Sequence, residues 1–389
     1  MKIAQRKWTA GPAAPASFVD VPPLHPQLVL VFGSRAQLGQ PEQLAAIKEQ
    51  YPDAHLLGCS TAGEISDTQV ADDTLMVTAI EFEHTQVHGA KVKLTAGASS
   101  FAAGKELAET LPPTLPGKRG AASDPLKHVF VLSDGLNVNG SDLVRGLMQH
   151  LPDGVTITGG LAGDGARFGQ TLVFWDGPPE PGVIAVVGFY SRRLQVGFGS
   201  KGGWDSFGPD RLITRSQGNV LYELDGQSAL GLYKRYLGGH VANLPAAGLL
   251  FPLSLRSRTG DTAVVRTILS VNERDQSMTF AGDVPENYYA RLMKANFDRL
   301  IDGAADAART SLQSLGPSPA RLAILISCVG RKLVLHQRVE EELEGVREAL
   351  GPGPVLTGFY SYGEISPFAP GARCELHNQT MTITTLAES

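Results

Sequence analysis

Gly58-Cys59-Ser60-Thr61-Ala62-Gly63-Glu64-Ile65-Ser66 returns near the other end of the chain as Gly358-Phe359-Tyr360-Ser361-Tyr362-Gly363-Glu364-Ile365-Ser366, with G-x4-G-E-I-S in common. Each copy follows an apolar run and a helical stretch. In the first, Leu28 to Ser34 leads into a helix near Pro41 to Gln50; in the other, Leu322 to Arg331 leads into a charged helix near Gln337 to Leu350. A further segment shares this order, from Val129 to Gly135 through a helix near Asp142 to His150 into Gly159-Gly160-Leu161-Ala162-Gly163-Asp164. Its Leu151-Pro152-Asp153-Gly154 matches Tyr51-Pro52-Asp53-Ala54. Internal similarity of this kind constrains the architecture before any single strand is assigned.

Each opening run is continuously apolar, the pattern of a strand buried on both faces, and each precedes a helix, which predicts βαβ crossovers. Helices are also expected at Ser99 to Leu111 and at Asn296 to Leu315. The latter has Phe297, Leu300, Ile301, Ala304, Ala308 and Leu312 at helical spacing, with Gly303 as a mild weakness. β-branched residues mark strands at Leu75 to Phe82, Val183 to Tyr190 and Thr380 to Leu386. The expected fold is α/β: two domains with mixed sheets flanked by helices, built from three repeats of a β-α-β-β unit. The domains are expected at 26–219 and 220–389, with the boundary near Ser216 to Val220. A stretch that breaks the pattern lies between the second and third copies. It has a strand and turn at Leu212 to Leu224, a short helix at Ser228 to Leu237 stopped by Gly238-Gly239, and strands at Thr262 to Val271 and Ser277 to Ala281. Pro112 to Asp124 reads as a surface loop.

The 389 residues, 42% hydrophobic and 19% charged, can bury a large core, so most of the chain is expected to fold. A net charge of −5 with dispersed basic residues gives no footprint for a nucleic-acid backbone. The three cysteines, Cys59, Cys328 and Cys374, form no C-x-x-C pair, which argues against a disulfide framework and a structural zinc site. No apolar run follows the basic N-terminus and none reaches the ~20 residues of a membrane-spanning helix. A cytoplasmic protein with no membrane or nucleic-acid partner is expected.

The glycine elements are the strongest local signal. One reading is backbone geometry repeated with the fold; the other is a glycine-lined ligand site, with Glu64, Asp164 and Glu364 on its turns. None is a phosphate loop, because the Lys and Ser/Thr that must follow are missing. Cys328, with Arg331 and His336 as helpers, is the one candidate nucleophile, against the commoner reading of an inert buried thiol. Paired metal-ligand histidines are absent, yet haem needs only one imidazole and an apolar wall. Among nine histidines, His240 is favoured, with Tyr233, Leu244, Leu250 and Phe251 available as such a wall.

Gly58 to Ile65, Gly159 to Asp164, Ser327-Cys328-Val329-Gly330-Arg331 and Thr357 to Ile365 together resemble the FIST-domain family, with a FIST-N part and a FIST-C part covering most of the chain. The resemblance implies a signal-transduction sensor of small ligands, not an enzyme. It extends to the NosP-like haem nitric-oxide sensor group, which implies haem b and a separate histidine kinase or cyclic-di-GMP enzyme as partner; His240, chosen from its apolar neighbours, is the expected ligand. A homo-oligomer is compatible with this. Two alternatives stand beside it: a sensor of an amino acid or similar metabolite without haem, and an enzyme using Cys328.

Overall fold

The three apolar runs are strands at the centres of three separate mixed sheets. The computed structural model describes residues 1–8, 24–95, 97–117, 122–244, 246–259, 263–368 and 371–389. The opening strands Leu28–Gly33, Asp124–Ser133 and Leu322–Cys328 each pair in parallel with a glycine-bearing strand, His55–Ser60, Thr156–Leu161 and Val355–Ser361 respectively. On its other side each opening strand pairs antiparallel with a return strand, Leu75–Glu81, Val183–Tyr190 or Met381–Glu388. An outer strand completes that side, Lys2–Trp8, Gln86–Lys93 or Leu194–Lys201. The same order therefore recurs in all three sheets.

The chain leaving each glycine-bearing strand does not stay in its own sheet. Glu64–Ser66 pairs with Val355–Ser361 of sheet three, Gly363–Pro367 pairs with Thr156–Leu161 of sheet two, and Val173–Trp175 pairs with His55–Ser60 of sheet one. This cyclic exchange ties sequence-distant segments into one body. Where the three glycine elements meet, Gly163 N–H donates to Ser60 O, Tyr360 N–H to Gly63 O and Tyr362 N–H to Leu161 O, at 2.8, 2.8 and 3.3 Å.

The helix Phe297–Leu315 shows why its spacing favours a helix and why its glycine belongs there. Asn296 Oδ1 caps it by accepting the Arg299 N–H, and Gly316, at φ +87°, follows its last residue. Its alanine-rich face lies on the outer strand Leu194–Lys201, where a Cβ on Gly197 or Gly199 would meet the Ser311 or Ala307 carbonyl at 2.1 or 2.2 Å. Gly303, expected to weaken the helix, instead lets it approach Gly202, whose carbonyl would lie 2.0 Å from a Cβ there.

Between sheets two and three the chain builds a fourth, antiparallel sheet from strands between Asp205 and Lys294, with the helix Ala229–Leu237 beside it. Residues 216–220 form a hairpin turn joining Asp205–Gln217 to Val220–Leu224. The strand expected from Thr262 is divided into Val264–Arg266 and Ile268–Asn272, and Thr262 itself lies outside the described residues. Two further expectations change. The Pro112 to Asp124 loop contains a short strand, Thr114–Leu115, paired with Asp124–Ser133, and its residues 118–121 lie outside the description. The third opening strand stops at Cys328, where the backbone turns into the helix Val329–Leu335.

Candidate functional site

The added sheet docks on sheet two and leaves a cleft of about 550 Å³ between them. Its first wall is the helix Gly140–His150. Asn139 caps that helix by accepting the Ser141 and Asp142 N–H groups at 3.1 and 3.3 Å, and its amide donates to Asp283 Oδ1 of the added sheet at 2.7 Å. Arg145, one turn into the helix, pairs with both Asp142 and Asp283. The second wall contains Arg266, 5% exposed. Its guanidinium donates to Asp283 O and Leu376 O, both at 3.0 Å, to Val265 O at 3.2 Å and to Ser141 Oγ at 3.3 Å. Burial lowers its pKa to about 10, so it remains charged at neutral pH while its donors are held by the protein.

The third wall is the sheet-two edge strand Cys374–His377 with Arg373 just before it. Arg373 and Glu375 are exposed and two residues apart, so both stand on one side of an extended backbone. Among the described residues neither makes an ion pair. The cleft therefore combines a buried arginine held by carbonyls with an exposed cation and an exposed anion that make no ion pair among the described residues, the Glu375 charge acting on Arg266 from a distance. Sequence reasoning misses it because the walls come from three distant segments.

The residues favoured from sequence lie elsewhere. His240 is exposed on the short helix Gly238–Asn243, with its ring centroid 5.8 Å from that of Phe251. Tyr233 is buried and its hydroxyl donates toward Phe251 O at 2.8 Å and Gly248 O at 3.3 Å; burial holds its pKa well above the usual phenol range. Leu244 and Phe251 pack against the same core as Tyr233, whereas Leu250 packs with Trp204, Met293 and Leu300 in another. The space lined by Tyr233 is about 20 Å³, against the roughly 300 Å³ and more of pockets that enclose ligands. Of the five residues only Tyr233 lines that space.

The acids of the glycine elements are buried. Glu64 accepts from Thr61 Oγ1, from Thr74 Oγ1 and from the Thr74 N–H at 3.1 Å; Glu364 repeats this with Ser361 Oγ, Thr380 Oγ1 and the Thr380 N–H at 3.2 Å. No cation pairs with either among the described residues, and burial pushes the Glu364 carboxyl up to about 8, so it is largely protonated at pH 7. Asp164 differs, pairing with Arg167 and Arg35. All three are held as parts of the turns themselves.

Cys328 is buried at the start of the helix Val329–Leu335, and burial with the nearby Glu364 pushes its thiol far above its ordinary pKa. Arg331 is engaged by Glu342 and by the Gly202 and Leu300 carbonyls, and His336 is exposed at φ +48°. A thiolate nucleophile with a base is not assembled there. All three thiols are buried, so a disulfide-exchange reagent is expected to titrate none of them in minutes in the native protein and all three in denaturant. Fast native labelling of one thiol would contradict this. Among the described residues no group of three or more His, Cys, Asp and Glu side chains could hold a metal ion, and no helix is long and apolar enough to cross a membrane.

No curated protein matches the chain. Among solved structures, a cyanuric acid hydrolase from A. caulinodans aligns with 78% of this chain and 99% of its own at 11% identity, but the TM-score of 0.18 is too low to carry an argument. The FIST N domain profile matches residues 27–227 and the FIST C domain profile matches residues 229–367. Both family segments contribute strands to sheets two and three, and the chain belongs to the FIST family.

Proposed function

We propose that this chain is a sensory module whose cleft beside Arg373 and Glu375 takes a small zwitterion such as an amino acid. FIST domains are associated with small-ligand sensing in signal transduction. The supporting observation is a pair of opposite, exposed charges on one strand edge, neither in an ion pair among the described residues, in a cleft whose Arg145, Asp283 and Arg266 are held by ion pairs or hydrogen bonds. Arg373 suits a carboxylate, which its planar fork can bind in bidentate fashion, and Glu375 suits an ammonium. A ligand bridging the sheet-two edge and the added sheet biases their relative position if it binds one arrangement more tightly. The signal then passes to a separate protein, for which a histidine kinase or a cyclic-di-GMP enzyme is the proposed class.

A panel of amino acids screened by thermal shift tests this, because a ligand that prefers the folded state raises the melting temperature. Arg373→Ala is expected to weaken the active ligand about tenfold, equivalent to about 1.4 kcal/mol. Glu375→Gln should weaken it while sparing analogues that lack the amine. Absence of any stabilising amino acid, or full affinity in Arg373→Ala, would sink the proposal.

A haem-based nitric-oxide sensor is the second reading, favoured by the exposed His240 imidazole next to Phe251. When bound, haem supplies an iron centre able to take nitric oxide. His240 would hold it from the open side of the added sheet, with Phe251 and Leu244 as the nearest apolar support. Reduced, haemin-reconstituted protein is then expected to show a Soret band that moves with nitric oxide and is lost in His240→Ala. An unchanged spectrum and affinity in that variant would remove His240 as the ligand.

A further inference from the structure

A second concavity, about 530 Å³, lies beside sheet one and shares no lining residue with the cleft. One wall is the helix Pro41–Gln50, which presents Leu44, Ala45 and Lys48; the other is Gly177-Pro178-Pro179. The second wall exists because the strand Val173–Trp175 ends at Asp176, at φ +42°, and two prolines without N–H groups cannot continue a ladder. Reciprocal Val173 and Glu180 backbone hydrogen bonds, both 3.1 Å, hold that loop away from the helix. The floor includes Phe174, whose ring covers Gly58; a Cβ at Gly58 would come within 2.6 Å of it.

The rim carries the cations Lys48 and Lys91, with the Asp176 carboxylate near enough to feel the Lys48 charge. Asp176 is already engaged, accepting from Leu56 N–H at 2.9 Å and facing His55 Nδ1 at 2.5 Å. Lys48 Nζ donates to Ala54 O at 2.8 Å, which leaves two N–H donors, and Lys91 Nζ lies against the backbone of Gly177. Among the described residues neither lysine makes an ion pair.

We infer that this groove is a second ligand site, for a planar aromatic monoanion such as an aryl carboxylate. The ring lies between the Leu44–Ala45 surface and the flat faces of Pro178 and Pro179, and the carboxylate meets Lys48. An apolar slot with few convergent polar groups is the usual form of a small-molecule site, and the charge at its rim selects an anion.

Calorimetric titration of the full chain with 1-naphthoate tests the inference. One saturable site is expected, weakened at least tenfold by Lys48→Glu and by Ala45→Trp, which fills the slot from an exposed helix position, and unchanged by Arg373→Ala in the other cleft. Lys48 is an exposed side chain, so its variant keeps the test decisive should Ala45→Trp misfold. No saturable binding, or binding indifferent to Lys48→Glu, overturns the site. Decanoate binding as tightly as naphthoate overturns the aromatic preference.

Discussion

Gly358→Ala is expected to cost about 3–5 kcal/mol of folding free energy, the range seen when a side chain is forced into packed backbone at a forbidden conformation. Gly358 has φ +158°, and a Cβ there would lie 1.8 Å from the carbonyl oxygen of Leu325, its partner across the parallel pair. No rotamer relieves a clash between Cβ and backbone. The equivalent positions behave alike: Gly159 would meet Val131 O at 1.9 Å and Gly58 would meet Val31 O at 2.1 Å. Gly97 is a fitting control, since it has φ +81° with nothing within 4 Å of where a Cβ would sit, and alanine there should cost only about 1 kcal/mol. Urea unfolding of the two variants decides the matter. Equal losses would mean that the close strand approach relaxes and that these glycines are not required by the sheet.

That result bears on how much the sequence can show. The glycines stand out because they repeat, and sequence leaves both readings of them open, backbone geometry and ligand lining. The contacts of Gly58, Gly159 and Gly358 favour the first, since each lies against a neighbouring strand's carbonyl. The apolar runs at Leu28, Val129 and Leu322 announce buried parallel strands because a strand covered on both faces needs no alternation, and the helices at Ser100–Thr110 and Phe297–Leu315 follow from caps and spacing. The exchange of Glu64–Ser66, Val173–Trp175 and Gly363–Pro367 between sheets is hidden. Such short strands carry little periodicity, and nothing local states which sheet they join. The cleft is hidden for a similar reason: Arg145, Asp283 and Arg373 are far apart in sequence and have no motif in common. His240 draws attention through its apolar neighbours, but those neighbours pack on Tyr233 and on the other core rather than around the imidazole.

Arg331→Met is expected to destabilise the protein by about 3–5 kcal/mol, because it leaves a buried carboxylate without its cation. Both side chains of the Arg331–Glu342 pair are 0% exposed. Arg331 Nε and Nη2 donate to Glu342 Oε2 at 3.0 and 2.8 Å, while Nη2 also reaches Leu300 O at 2.7 Å and Nη1 reaches Gly202 O at 3.0 Å. The other carboxylate oxygen accepts from Tyr360 Oη at 2.6 Å and Ser327 Oγ at 3.1 Å. Every nitrogen and carboxylate oxygen in the group has a hydrogen-bond partner, so removal of one member exposes the desolvation cost of the rest. In sequence Arg331 stands beside Cys328 as a helper for catalysis, and Glu342 is one acid in a charged helix. Glu342 is distinguishable only by its place next to Leu343 and one turn from Val346, on the buried face of Val339–Leu350. Combining Arg331→Met with Glu342→Leu removes both charges, and the double variant is expected to lose clearly less than the sum of the two single losses. Additive losses in a denaturation cycle would show that the pair is not coupled and that the motif's arginine acts through its carbonyl contacts alone.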